Sequence, residues 1–402
     1  AAAARGMLRE QWVVTIALTP LGLILFGQVS LVGMLANALA IPWVTLLVTP
    51  LAMAGVFYAP LWDFAAAAIS LLALFLEWLM RWPWVTLSLP QAPLWAGLCA
   101  VAGAALLALR LPWVLRGAGV PLLVPLLFWP VPRPDPGQFE LLAADVGQGN
   151  AVLLRTANHA LLYDAGPRFS RESDAGHRVL VPLLRALGVH LDVLMLSHRD
   201  SDHSGGAAAV LATQRQAYLS SSIEDEHELQ QLRPAVRCVA GQRWIWDGVD
   251  FQVLHPQAED YQSRSRPNAL SCVLRVASQT LPGRAPRVAL LVGDIERPQE
   301  LRLLARGTDV HADLLLVPHH GSKTSSSAEF LQAVAPRFAV VQAGYRNRFG
   351  HPASGVLERY REGNITVVDS PHCGALRWRS DSPSLVRCER SESRRYWHHV
   401  AP

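Results

Sequence analysis

The stretch that decides the fold is LDVLMLSHRDSDHSGG, residues 191 to 206. An apolar run, LDVLML, is followed by two imidazoles and two carboxylates within six residues, and then by a helix-like stretch. Side chains at alternate positions, His198, Asp200 and Asp202, can converge from one face of an extended segment, and His203 follows at the helix start. Mixed nitrogen and oxygen donors of this kind are typical of a Zn or Mn site. A helix-capping cluster would explain one aspartate, but not four ligands.

Three further polar groups follow strand-like runs. Asp294 closes RVALLVGD, His319 and His320 follow DLLLVP, and His351 lies in RNRFGHP. Taken singly, Asp294 could be a helix N-cap and His351 a surface loop residue. Because metal-compatible side chains recur at the same kind of position, we favour one shared site at the strand ends.

The sequence around these groups alternates β-rich and helix-like runs from residue 138 onward, which predicts a layered α/β sandwich. Strands are predicted in FELLAADV, AVLLRT, ALLYDAG and LDVLMLSH, and at residues 250–254, 271–277, 287–293, 313–318, 338–342, 365–369 and 374–379. Helices are predicted near residues 177–187, 296–306, 326–334 and 354–362.

The first third of the 402-residue chain has far fewer charged residues than the rest. Of the 68 charged side chains, residues 1 to 130 hold only eight, which are Arg5, Arg9, Glu10, Asp63, Glu77, Arg81, Arg110 and Arg116. A run this apolar far exceeds the ~20 residues of one membrane-spanning helix. Spans are predicted at residues 12–29, 32–58, 62–80 and 94–110, with a shorter one at 117–130. Tryptophans near the proposed ends, Trp84 among them, suit the lipid headgroup level. The Pro-rich residues 131–137 are the predicted domain boundary.

Composition bounds the remaining possibilities. With 51% hydrophobic residues the chain is neither disordered nor fibrous, and a net charge of +4 without a basic arm does not by itself argue for nucleic acid. The five cysteines show no C-x-x-C spacing, and their odd number argues against a complete disulfide framework or a structural zinc site. The redox compartment, and whether Cys373 and Cys388 pair, are left open.

The motifs HRDSDHSGG, VGD and HHGS together resemble the metallo-β-lactamase fold of hydrolases, whose signature is H-x-H-x-D-H; Asp200 stands where that signature has its second histidine. With VGQG, LLYDAG, HHGSKTSSS, NRFGHP and the preceding LTPLGLILFGQVSLVGMLANALAIPWV, the chain is similar to the C-terminal part of the ComEC family of DNA-internalisation channels. The resemblance implies a multi-span α-helical membrane segment, residues 1–130, followed by an αββα sandwich over residues 138–380 and a basic tail at 381–402. Without the family's N-terminal domain and most of its channel helices, transport by this chain alone is not expected.

The resemblance also implies one or two divalent ions, Mn or Zn, and a set of ligands. These are His198, Asp200, Asp202 and His203 from the loop, Asp294 as a bridge, either His319 or His320 as the distal ligand, and His255 as a candidate third histidine. Asp164 and Asp145 are expected to orient ligands or shape the loop beside them, and Asn268 to reach the cleft.

The implied activity is nuclease action on the strand that is not transported, while single-stranded DNA crosses the bacterial inner membrane. Asp202 would orient or accept the proton of water beside His203, and His351 would assist the leaving oxygen. Ser322, Lys323 and Thr324 would hold phosphate.

The expected partners are single-stranded DNA, the membrane, other DNA-uptake proteins and the absent N-terminal part of the channel. Five spans with a cytoplasmic N-terminus would place the hydrolase domain on the outer, periplasmic side, and four would reverse it. Two alternative functions are a non-catalytic channel component and a membrane-tethered hydrolase of a small ester or phosphoester.

Overall fold

The computed structural model describes residues 2–82, 85–262, 265–280, 283, 285–392 and 394. Trp84 and most of the basic tail lie outside the described residues. The chain divides into two compact units. The first holds the residues up to Val131 together with Arg185–Gly188, and the second holds the rest from Pro132 onward.

The first unit is helical. Its helices are Ala2–Phe26, Gly33–Trp43, Val44–Val48, Thr49–Ala54, Pro60–Met80, Leu94–Ala108, Trp113–Gly117 and Gly119–Leu127, and one antiparallel pair joins Gln28–Ser30 to Thr86–Ser88. Among the described residues, two continuous helical stretches are both long and apolar enough to cross a membrane, Gly33–Ala54 and Pro60–Met80. The spans predicted at 32–58 and 62–80 coincide with these two. The helices at the spans predicted for 94–110 and 117–130 are shorter than a bilayer requires.

These two helical stretches expose much of their apolar surface. Leu46, Met53, Phe64, Leu71 and Leu74 all point away from the protein interior. The interior of this unit is small, and its fully buried cluster joins Leu23, Ala100 and Leu126. A large exposed apolar surface is costly in water, and it is the surface that contact with lipid requires.

The second unit is a sandwich of two mixed sheets. The eight-stranded sheet has the order Ala235–Arg237, Tyr218–Ser221, Val193–Leu196, Ala160–Tyr163, Val152–Arg155, Glu140–Ala143, Leu376–Arg379, Val386–Cys388. The seven-stranded sheet has the order Arg243–Trp246, Val249–His255, Val273–Ala277, Val288–Leu291, Leu314–Leu316, Phe338–Val341, Thr366–Asp369. A two-stranded hairpin pairs Arg168–Ser170 with Ser173–Asp174.

Alternate residues of the strands build the core between the sheets. Leu154 and Met195 of the eight-stranded sheet belong to the same buried cluster as Phe251 and Leu291 of the seven-stranded sheet. A second cluster lies on the outer face of the seven-stranded sheet, where helices cover it. The helices of the second unit are Gly176–Leu180, Val181–Ala186, Ser201–Ser204, Ala207–Thr213, Glu228–Leu232, Ala258–Gln262, Pro267–Leu270, Arg297–Ala305, Pro318–Gly321, Ala328–Val334, Ser354–Glu362, Ser370–Cys373 and Glu389–Glu392.

The strand directions determine where polar side chains gather. Val193–Leu196 pairs in parallel with both of its neighbours, as do Leu314–Leu316 and Phe338–Val341 in the other sheet. The segments that carry the candidate ligands follow the carboxyl ends of such strands. Parallel strands bring those ends to one edge, which is where ligand sites form in α/β folds.

The strands and helices predicted after residue 138 are confirmed, with shifts at their ends. Tyr218–Ser221 is one of the strands that the sequence did not predict, because YLSS lacks an apolar pattern. Its serines are buried, and the Ser221 hydroxyl donates to the Leu196 carbonyl of the neighbouring strand. The buried Ser221 hydroxyl is thus satisfied by a main-chain carbonyl, which allows a polar side chain at a strand position where an apolar one is usually expected.

Four of the five cysteines form disulfides, Cys238–Cys272 and Cys373–Cys388. The odd cysteine is Cys99 of the first unit. The odd number therefore did not exclude disulfides in the second unit. Bridges of this kind are typical of proteins in oxidising compartments.

Candidate metal centre

The loop after Val193–Leu196 is pinned by its main chain. The Ala165 amide donates to the His203 carbonyl over 2.7 Å, and the Asn150 amide donates to the Asp202 carbonyl over 3.1 Å. Gly149 has a φ of +145°, and a Cβ there would collide with the Asp202 carbonyl. Glycine is therefore required at 149 for the VGQG segment to lie against the loop.

Four side chains from this loop and the seven-stranded sheet meet in one cluster, Asp202, His203, Asp294 and His320. One ligand atom from each lies within 4.8 Å of the others. His203 Nε2 is 3.2 Å from Asp294 Oδ1 and 3.2 Å from His320 Nε2. His320 Nε2 is 3.3 Å from Asp202 Oδ2. Residues more than a hundred positions apart thus form a compact set of two imidazoles and two carboxylates.

Both imidazoles are oriented through their other nitrogen. His203 Nδ1 donates to Asp164 over 2.8 Å, and His320 Nδ1 donates to the Gln342 carbonyl over 2.8 Å. In each ring Nε2 is therefore the atom directed at the cluster, which is how metal-binding histidines are held.

Two buried atoms beside the cluster lack a hydrogen bond within the described part of the chain, His198 Nε2 and Asp294 Oδ1. Buried polar atoms of this kind normally have a partner. A divalent cation would satisfy them, together with the facing nitrogens of His203 and His320, so the residues fit the metal that the fold implies.

The charges of the cluster oppose and stabilise one another. Burial raises the pKa of Asp202, but a hydrogen bond from His320 and the charge of His203 outweigh it and lower that pKa to about 2. Burial lowers the pKa of His203, but the carboxylates of Asp294 and Asp164 outweigh it and hold that pKa well above its usual value. The site is therefore built to retain positive charge among its carboxylates.

Asp164 is the sequence-predicted orienting residue, and it is fully buried. It accepts hydrogen bonds from the Ser197 amide (2.6 Å), the Ser197 hydroxyl (2.9 Å) and His203 Nδ1. We expect Asp164→Asn to weaken metal binding or activity about 10-fold to 100-fold, because the amide removes the charge that holds the ring.

Metal content after dialysis against graded chelator would measure this loss. Asp192→Asn is the matched control, since Asp192 is an exposed carboxylate 3.3 Å from His159 that precedes Val193–Leu196, at the end of that strand opposite the metal loop. Equal metal retention by the two variants would contradict the orienting role of Asp164.

His198 and Asp200 lie beside the cluster. His198 is buried, and its Nε2 is 3.6 Å from Asp200 Oδ2, whose side chain is 45% exposed. The neighbouring His198 imidazole is the largest cause that lowers the pKa of Asp200. Asp200 occupies the N-cap of Ser201–Ser204 but its side chain makes no capping bond, which agrees with a ligand rather than a cap.

The adjacent residues His319 and His320 occupy different positions relative to the cluster. Both residues, like Gly321 after them, have positive φ, so three consecutive left-handed residues turn the chain at the cluster. His320 points into the four-residue cluster, whereas His319 is 22% exposed at its rim, with Nδ1 3.5 Å from Glu296 and Nε2 3.7 Å from Asp294. The geometry thus favours His320 as the distal ligand.

The predicted phosphate-binding and leaving-group residues line this rim. The Thr324 hydroxyl is 3.1 Å from that of Ser322, and Lys323 is exposed. Asn268 Nδ2 is 3.4 Å from His319 Nε2. The His351 ring centroid lies 5.7 Å from that of His319, and burial, with the charges of His320 and His319, lowers the pKa of His351.

Two predicted residues do not join the cluster. His255 Nε2 is engaged by the Ala269 carbonyl at 2.8 Å and its Nδ1 faces Asp260, so the strand directs this ring away from the other candidates. Asp145 accepts from Arg390 over 2.8 Å and from the Gly147 amide over 3.4 Å, so it contacts the VGQG loop and the C-terminal segment but not the cluster.

Several supporting residues were missed from the sequence. Gln342 accepts from the Ala151 amide and, through its main chain, from His320. The Ser271 hydroxyl accepts from the Asp294 amide and lies 3.4 Å from His198 Nδ1. Ser197, directly before His198, could have been found by its place in SHRDSDH, but nothing in the local sequence marks Gln342 or Ser271.

Comparison with known proteins shows which families this chain resembles. A family model described as "Competence protein" matches residues 2–114, and one described as "Metallo-beta-lactamase superfamily" matches residues 144–250. The chain is 36% identical to "Competence protein ComA" of Neisseria gonorrhoeae over 92% of its own length and 51% of that protein. The chain is similar to the ComEC-like competence proteins in both of its units. The uncharacterised YcaI of Escherichia coli is 32% identical over 90% of this chain and 47% of that protein.

This ComEC-like chain spans about half the length of the curated relatives it matches. Among solved structures, the metallo-β-lactamase fold protein YhfI of Bacillus subtilis is 12% identical, with a TM-score of 0.38 over 60% of this chain and 99% of that one. Asp202 and His203 lie within the matched hydrolase region of the ComEC-like chain, whereas Asp294 and His320 lie beyond it. The fold nevertheless unites all four, which indicates a divalent-metal site of the metallo-hydrolase kind.

Proposed function

We propose that the second unit is a metal-dependent nuclease that hydrolyses phosphodiesters of the strand that is not transported, while single-stranded DNA crosses the inner membrane. The observation that carries this proposal is the cluster of four ligand atoms from Asp202, His203, Asp294 and His320 within 4.8 Å. Competence proteins act in DNA uptake, so a hydrolase domain in this family would encounter DNA, a phosphodiester polymer, as an accessible substrate.

The cluster would hold one Mn or Zn ion, with His198 and Asp200 as candidates for a second. Such an ion lowers the pKa of bound water and stabilises charge on phosphate oxygens. Asp202 is the most exposed member of the cluster, and with a pKa of about 2 it is ionised at neutral pH. Its carboxylate can therefore orient a water molecule or accept its proton.

The rim of the cluster is suited to the phosphate chain. Lys323 supplies an ammonium group with no carboxylate within 4.0 Å among the described residues, and Ser322 supplies a hydroxyl beside it. The Thr324 hydroxyl donates to Glu296 over 3.0 Å and would have to exchange this partner for phosphate. His351 stands at the rim, with its ring centroid 5.7 Å from that of His319, where it could assist the leaving oxygen.

The expected location is the inner membrane, with several spans and with the hydrolase unit on the periplasmic side. The two apolar helical stretches support membrane insertion, and the two disulfides support an oxidising compartment. Other DNA-uptake proteins are the expected partners, because the chain is similar to competence proteins.

The test uses the full chain in detergent with end-labelled single-stranded DNA. We expect cutting with added Mn, Mg or Zn, none in chelator, and loss of cutting in Asp202→Asn. A folded, metal-loaded chain that cuts nothing would overturn the nuclease proposal and favour a non-catalytic channel component. Hydrolysis confined to small esters would favour a small-molecule hydrolase instead.

A further inference from the structure

The segment YRNRFGH, residues 345 to 351, alternates aromatic and cationic side chains beside the metal centre. Tyr345 is 43% exposed and Phe349 is 54% exposed. The Arg346 guanidinium lies 5.2 Å from the Tyr345 ring centroid, and that of Arg348 lies 4.8 Å from the Phe349 ring centroid. Two guanidinium–aromatic pairs thus face solvent in one short loop.

The loop is held in shape by Asn347. Its Nδ2 donates to the Gly344 and His351 carbonyls, while its Oδ1 accepts from the amides of Phe349 (3.2 Å) and His351 (3.0 Å). One side chain therefore satisfies four main-chain groups of the loop. Because the loop is already ordered, a ligand binding to its exposed rings would not have to order it.

The rings of the loop lead toward the metal centre. The Phe349 ring stacks on His351 with centroids 5.7 Å apart and planes at 24°, and His351 stacks toward His320 at 6.4 Å and 21°. His320 is one of the four clustered residues. A row of three nearly parallel rings therefore runs from the exposed loop to the cluster.

The loop also carries positive charge, from Arg346 and Arg348. Among the described residues, neither Arg346 nor Arg348 has a carboxylate within 4.0 Å, whereas Arg199, Arg237 and Arg297 of the same unit are each paired with one. Exposed aromatic rings interleaved with unpaired guanidiniums are the two components by which proteins bind single-stranded nucleic acid, through base stacking and backbone charge. A duplex hides its base faces and can use only the charge.

We propose that residues 345–351 form a stacking platform that selects single-stranded over double-stranded DNA. A base stacks at Phe349 and a neighbouring base at Tyr345, and the guanidiniums hold the intervening phosphates. The strand then continues along His351 into the metal centre. This inference rests on the proposed function, because it names the form of the substrate.

A lipid surface is the competing ligand for exposed aromatic and arginine side chains. The row of rings favours DNA, since a membrane would not need Phe349 to be stacked on a histidine that reaches the metal cluster. Anionic vesicles are therefore included in the test as a separate outcome.

The test measures binding to the full chain in detergent with chelator present, by fluorescence anisotropy. The probes are a labelled oligothymidylate, an abasic oligomer of the same length and charge, and a duplex. We expect the wild type to prefer oligothymidylate, and Phe349→Ala to weaken that binding by roughly 5-fold to 100-fold. Phe349→Trp should retain it, because the ring is kept.

The matched control is Tyr218→Ala, which removes an exposed aromatic ring from the strand end opposite the metal loop. Equal affinity of the wild type for oligothymidylate and the abasic oligomer, or no effect of Phe349→Ala, would overturn the platform. So would a Phe349→Ala defect confined to anionic vesicles. Cutting is measured separately: cutting without base-dependent binding contradicts the platform alone, and base-dependent binding without cutting contradicts the nuclease proposal alone.

Discussion

Replacing His203 with alanine is expected to abolish metal-dependent cutting, with a loss of more than about 100-fold in both metal affinity and rate. His203 Nε2 faces Asp294 and His320, both at 3.2 Å, so its removal takes one corner from the four-residue cluster. The loss also leaves two buried carboxylates, Asp164 and Asp294, without their shared partner.

Metal content by mass spectrometry and cutting of single-stranded DNA would measure this result. His203 is fully buried, so His203→Gln, which fills more of the space, is tested in parallel and both variants are checked by thermal melting. His159→Ala is the matched control, because His159 is a surface histidine paired with Asp192. A well-folded His203→Gln chain with wild-type metal content and cutting would remove His203 from the centre.

The largest expected loss of stability follows from Arg155→Met. Arg155 and Glu140 face each other across adjacent strands, with Nη2 2.6 Å from Oε1 and both side chains only 4% exposed. Once the guanidinium is removed, Arg377, 3.9 Å away, is the one remaining cation within 4.0 Å of the buried carboxylate among the described residues. We expect a cost of about 3–5 kcal/mol in the free energy of unfolding, because an unpaired buried charge is left behind.

Urea denaturation of the detergent-solubilised chain would measure this cost. The double variant Arg155→Met with Glu140→Leu should recover most of the loss, since it removes both charges and keeps an apolar pair. If the single and double variants were equally destabilised, lost packing rather than the stranded charge would be the cause. Arg243→Met is the surface control, where an exposed pair with Asp250 contributes little.

The sequence was most informative where chemistry and chain order coincide. HRDSDH is contiguous and follows an apolar strand, so both its metal-binding character and its place at a strand end could be predicted. The strand before Asp294 and the strand before the histidine pair were predicted in the same way, which is why the distant half of the cluster could be named.

The remaining features depend on contacts that local sequence does not encode. His319 and His320 are adjacent and chemically identical, and only the left-handed turn of the chain decides which of them enters the cluster. His255 has the composition of a ligand, but its ring is taken by a main-chain carbonyl. Gln342 accepts a hydrogen bond from the Ala151 amide, 191 residues away in the sequence, and no local pattern reveals such a contact.

The disulfide Cys238–Cys272 has a practical consequence for anyone who makes this protein. Cys272 follows Ser271, whose hydroxyl accepts from the Asp294 amide, and the Cys272 amide donates to the Ser197 carbonyl. The bridge therefore holds the Ser271–Cys272 segment, which contacts both Asp294 and the residue before His198. Material produced in a reducing cytoplasm is expected to lack this bridge. Its thiols should be counted before an absence of metal or activity is attributed to the native protein.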